Sequence, residues 1–94
     1  MITAVVLISA DRKAIPALGE ALAAIDGVSE VYSVTGQIDF IAMVRAREHD
    51  ELAEIVTGRI GQVPGVLRTD THVAFKMYSR HDLESLFSIG ADRA

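Results

Sequence analysis

Between the apolar runs of "SVTGQIDFIAMV" (residues 33–44) lies Gly36-Gln37-Ile38-Asp39. A glycine turn exposes backbone N–H groups that can hold a carboxylate, and an aspartate beside them can hold an ammonium. A zwitterion needs both charges answered within one small space, and these four residues offer both kinds of group. The same residues also fit a plainer role. Gly36 suits any hairpin, and Asp39 can bond to backbone inside the turn. On the residues alone both readings stay open.

Other chemistries find less support. His49, His72 and His81 fall on a helix start, a strand and the tail, and none sits in a close-spaced metal-ligand pattern. There is no cysteine, so thiolate nucleophiles, thiolate metal sites and disulfides are all excluded. No serine-centred nucleophile elbow occurs, and "TGQID" lacks the glycines and lysine of a phosphate loop. Asp50, Glu51 and Glu54 surround a helix start, where the helix dipole favours acids. Arg45 and Arg47 end a strand and are expected to face solvent. No catalytic residue, metal site or cofactor is therefore expected.

The net charge is −4, which opposes unaided binding to a phosphate backbone. No helix-turn-helix and no RNA-reading aromatic pair is visible, so no direct nucleic-acid contact is expected. The apolar start "MITAVVLISADRK" lacks a basic leader and falls well short of the ~18 residues a membrane span needs. A cytoplasmic protein is the expectation.

The elements that must position the turn are legible in the pattern. With 94 residues, half of them hydrophobic, one core is all the chain can build. "LGEALAAIDGV" (residues 18–28) and "VTGRIGQVPGV" (residues 56–66) echo each other. Leu18 matches Val56, Leu22 matches Ile60, Ile25 matches Val63, and Gly27 matches Gly65. Each reads as a helix end, a glycine free to take positive φ, and the start of a strand. The spacing predicts strands over 2–9, 28–35, 38–45 and 66–78. It predicts one helix lined by Ile15, Leu18, Leu22 and Ile25. Asp11 can cap that helix, although Pro16 leaves a start nearer Ala14 equally open. A second helix is lined by Leu52, Ile55, Val56, Ile60 and Val63.

The order is βαββαβ. Two right-handed crossovers interleave into an α+β, ferredoxin-like sandwich, a four-stranded antiparallel sheet with both helices on one face. Both parities of the central strands are apolar: Ile2, Ala4, Val6 and Ile8 alternate with Thr3, Val5 and Leu7, and Phe40, Ala42 and Val44 with Ile41 and Met43. Leaving several large side chains wet forfeits about 1.5–3 kcal/mol each. Two such sheets are expected to pack face to face as a dimer. Residues 79–94 differ in character, with Ser79 capping a short tail helix lined by Leu83, Leu86 and Phe87, then a frayed end.

"GVSEVYSVTGQIDFIAMV" followed by "VPGVLRTDTHVAFKMY" resembles the effector-binding (RAM) domain of the leucine-responsive/AsnC transcriptional regulators. The Gly27-Val28 pair, the Val-Thr-Gly-x-x-Asp turn, Pro64-Gly65-Val66 and Arg68-Thr69-x-Thr71 carry the resemblance over residues 3–78. It implies a free amino acid effector and dimers built into an octamer-like ring. It also implies a ligand-binding set of Gly36, Gln37, Ile38 and Asp39, with Thr69 and Thr71 as further contributors. The full-length regulators carry a DNA-binding domain that this sequence does not show. The resemblance thus implies a stand-alone form, which senses a metabolite or assembles with a full-length family regulator. Two other classes share the topology: small dimeric α+β-barrel enzymes, such as cofactor-free monooxygenases and isomerases, and purely structural assembly modules.

Overall fold

Ile2–Ala10 forms β1, whose side chains divide by parity: Ala4, Val6, Ile8 and Ala10 are buried, while Thr3, Val5, Leu7 and Ser9 are half-buried. The computed structural model describes residues 1–80, so the tail helix expected around Leu83, Leu86 and Phe87 lies outside the described residues. Phe40–Ala46 forms β3, with Phe40, Ala42, Val44 and Ala46 buried and Ile41 and Met43 half-buried. Val28–Ser33 is β2 and Val66–Val73 is β4. The four strands make one antiparallel sheet in the order β2-β3-β1-β4, the arrangement expected of interleaved crossovers.

One face of the sheet is covered by helices. Asp11 caps a 3-10 turn, Arg12–Ala14, its side chain accepting from the Lys13 N–H at 3.1 Å. Helix α1, Ile15–Ala23, follows with Pro16 in its first turn, where the missing N–H costs no helical bond. The helix itself therefore starts beside Ala14, and Asp11 caps the separate 3-10 turn before it. Leu18 and Leu22 of α1 enter the core.

The second helical segment departs from the even helix expected. Helix α2 spans His49–Ala53, continues as a wide π turn over Glu54–Arg59, and closes as a 3-10 turn over Ile60–Gln62. A π turn inserts one residue per turn, so Ile55 and Ile60, five apart, both point into the core. Val56 and Val63 of the expected stripe are only half-buried. Arg59 anchors the segment by donating from Nη1 to the Asp26 carbonyl at 2.8 Å.

The repeat proves structural. Gly27 and Gly65 both have positive φ, 97° and 101°, at the matching entrances to β2 and β4. A Cβ on Gly65 would lie 2.7 Å from the Ala14 Cβ, so packing as well as backbone requires glycine there.

Three strand ends fall short of the pattern. β2 stops at Ser33 and β3 starts at Phe40, because Val34–Asp39 is a connection closed by a Val34 N–H to Asp39 carbonyl bond of 3.0 Å. β4 ends at Val73 rather than Tyr78. Its partner β1 begins at Ile2, and the last bond of the pair runs from the Ala74 N–H to the Thr3 carbonyl at 2.9 Å.

The core is wholly apolar among the described residues, with no buried polar or charged side chain. No described helix is long and apolar enough to cross a membrane.

Candidate functional site

Gly36 sits at φ 112°, a conformation that strains any residue with a Cβ, and a Cβ built there would meet nothing within 4 Å. Glycine is therefore required here by backbone conformation and not by packing, with open space beside it.

Asp39 is the fixed end of this loop. Its N–H donates to the Ile8 carbonyl at 2.9 Å, and its Oδ2 accepts from the Ala10 N–H at 2.8 Å. The carboxylate thus secures the end of β1, where the pairing with β4 shifts register between Ser9 and Ala10. It bonds backbone, as the plainer reading expected, but on a strand 29 positions away rather than inside its own turn. No bond to its second oxygen occurs among the described residues.

Gln37 and Ile38 line a hollow of about 290 Å³ on the helix-free face of the sheet, together with Leu7, Ser9, Arg68 and Asp70. Register explains the grouping. Leu7 lies opposite Asp70 and Ser9 opposite Arg68, so these four side chains share one face. The hollow joins an apolar floor, Leu7 and Ile38, to one guanidinium and one carboxylate. Asp70 Oδ2 also lies 3.3 Å from His72 Nε2 along the same strand.

Thr69 and Thr71 do not join them. Their partners on β1 are Ile8 and Val6, both buried, which puts the threonines on the helix face. Thr71 lines a second hollow, of about 230 Å³, with His49, Leu52, Ala53, Val56 and Thr57. Within one chain the sheet itself separates the turn from the threonines. Arg68 and Asp70 were missed as site residues, although strict alternation through Arg68-Thr69-Asp70-Thr71-His72 already divides charges from threonines.

No group of three or more His, Cys, Asp or Glu residues able to hold a metal occurs among the described residues. His72 is exposed on the open face, and Tyr78 lies beyond the end of β4. Neither reaches the layer between sheet and helices. On β2, Glu30 accepts a hydrogen bond from the Tyr32 hydroxyl, and this carboxylate raises the phenol above its ordinary pKa.

An interleaved βαββαβ antiparallel sheet with both helices on one face defines the ferredoxin-like class. The model of the Lrp/AsnC ligand binding domain matches residues 3–83, and the chain belongs to that family. It is 38% identical over 58 residues to an uncharacterized HTH-type transcriptional regulator of Pyrococcus horikoshii, an alignment covering 62% of this chain and 39% of that one. Across the curated regulators it matches, the aligned share is about half of their length or less, 39% to 51%. Among solved structures, a protein of Thermus thermophilus is 49% identical, with a TM-score of 0.79 over 85% of this chain and 100% of that one. A feast or famine regulatory protein of M. tuberculosis, complexed with L-methionine, is 27% identical, with a TM-score of 0.70 over 85% of this chain and 54% of that one. Family and fold together support an effector-binding regulatory role.

Proposed function

We propose that this chain is an amino-acid-sensing regulatory domain that works as a sheet-to-sheet dimer and in assemblies of such dimers. The observation that carries the reading is the hollow beside the Gly36–Asp39 loop. One small space presents the Arg68 guanidinium, the Asp70 carboxylate and the loop backbone over the apolar floor of Leu7 and Ile38. The guanidinium answers an α-carboxylate and the Asp70 carboxylate answers an α-ammonium, with Asp39 at the end of the adjoining loop as a further carboxylate for the ammonium only if the ligand reaches past Ile38. A hollow of about 290 Å³ suits an amino acid of moderate size. Thr69 and Thr71, on the other face, contribute to the same ligand only from another copy of the chain. The L-methionine held by the M. tuberculosis relative supports the ligand class.

The relatives are named as transcriptional regulators, which favours the regulatory reading over an acid–base enzyme. The test is a thermal-shift series over the common L-amino acids, followed by calorimetry on any that binds. A ligand at a hundred times its Kd raises stability by about 2.7 kcal/mol, a shift easily resolved. Arg68→Gln should then weaken binding about tenfold or more, because hydrogen bonds to charged groups contribute about 1.5–3 kcal/mol. If no amino acid moves the midpoint of the parent, the reading is wrong.

A further inference from the structure

The hollow beside the Gly36–Asp39 loop carries two polar groups that the charges of a zwitterion do not occupy. Arg68 and Asp70 supply its charge, and Leu7 and Ile38 its apolar floor. Ser9 and Gln37 complete the lining, one with a hydroxyl and one with a carboxamide. Both are uncharged, and neither side chain bonds to another group among the described residues. Polar groups of this kind, few and placed over an apolar floor, are what give a small-molecule site its selectivity.

The two kinds of group stand at opposite ends of the hollow. Arg68 and Asp70 are on β4, across from Ser9 and Leu7 of β1. The loop lies on the other side of β1, where Asp39 bonds to the Ile8 carbonyl and the Ala10 N–H. Two strand spacings, roughly 10 Å, therefore separate β4 from the loop. An amino acid whose α-groups meet Arg68 and Asp70 must extend its side chain across Leu7 and Ser9 toward Gln37. Its stem then lies on Leu7 and Ile38, and only its end meets the Ser9 hydroxyl and the Gln37 amide. Neither a cation nor a carboxylate lines the hollow at that end.

We infer that the hollow selects an amino acid whose side chain ends in a carboxamide, with Gln37 as the specificity-determining residue and Ser9 as its partner. The inference rests on the amino-acid-sensing function proposed above and adds the class of side chain. A carboxamide carries a donor and an acceptor, and so do Gln37 and Ser9, so the three groups can satisfy one another without any charge. A thioether or alkyl end leaves both protein groups without a partner from the ligand. A carboxylate end uses only their donors and brings a further negative charge beside Asp39. Two neutral hydrogen bonds together amount to roughly tenfold in affinity, which sets the scale of the discrimination.

The experiment is calorimetry on the parent chain and on Gln37→Met with five ligands. L-glutamine and L-asparagine are compared with L-methionine and L-leucine, which are close to them in size, and with L-glutamate. Gln37 is exposed and bonded to nothing in the fold, so the variant should fold, and circular dichroism checks it. The parent should bind one of the two carboxamides at least about tenfold more tightly than its apolar counterpart. In Gln37→Met that ratio should collapse toward one. A parent that binds methionine or leucine as tightly as the carboxamides overturns the inference and leaves amino-acid sensing standing. A ratio that survives in Gln37→Met overturns the role of Gln37, and with it the inference. Tightest binding of L-glutamate would place the Arg68 guanidinium on the side chain and also overturn it. A parent that binds no amino acid at all overturns both the selectivity and the function on which it rests.

Discussion

Replacing Asp39 by alanine removes the acceptor that holds the Ala10 N–H at 2.8 Å. Ala10 is 6% exposed, so water has little access to restore the lost bond. An orphaned buried donor costs about 1–3 kcal/mol, and more when its partner was charged. For a domain of this size each kcal/mol lowers the melting midpoint by about 4–8 °C, so a fall of at least about 4 °C is expected. Asp39→Asn is the informative companion. Its amide oxygen can still accept from Ala10, so it should lose only about half as much stability, because charge-assisted bonds are roughly twice as strong as neutral ones. Amino-acid affinity should nonetheless fall about 10- to 100-fold in Asp39→Asn if the carboxylate also faces an ammonium. Thermal melts by circular dichroism read the first effect, and calorimetry reads the second. An Asp39→Ala midpoint equal to the parent's would refute the structural role. Undiminished affinity in a folded Asp39→Asn would show that the loop binds nothing through this residue.

Val5 and Val6 should behave oppositely. Val6→Asp puts a charge into the core and should abolish folding, whereas Val5→Asp, on the helix-free face, should leave a folded chain that sediments as a monomer. Gly36→Val should cost about 1–3 kcal/mol from backbone strain alone, since the space around its Cβ is empty; a thermal melt like the parent's would contradict this. With its net charge of −4, the 94-residue chain should show no sequence-selective duplex DNA binding at physiological salt, and a sub-micromolar specific Kd by anisotropy would count against that expectation.

Much of the architecture was legible because it is written in short-range periods. Alternation in residues 2–9 and 38–45, and the matched glycines at 27 and 65, each reflect a local rule of strand or helix-end geometry. Those rules were enough for the element order and for the ferredoxin-like class. They could show that both parities of β1 are apolar, but not which parity the helices cover. That choice depends on how α1 and the segment after His49 dock. The structure puts Val6 inside and Val5 on the open face. The even second helix failed for a related reason. The stripe from Leu52 to Val63 fits an ordinary helical period, and only packing against the sheet reveals the π turn that brings Ile60 inward.

The candidate site divides along the same line. That Gly36 needs a special backbone and that Asp39 is polar between apolar runs are properties of the residues themselves. That Asp39 ties down Ala10, that Arg68 and Asp70 stand beside Gln37, and that Thr69 and Thr71 face away are consequences of register between strands far apart in sequence. A register is set by the whole core closing at once, and shifting it by one residue would turn every side chain of β4 to the other face.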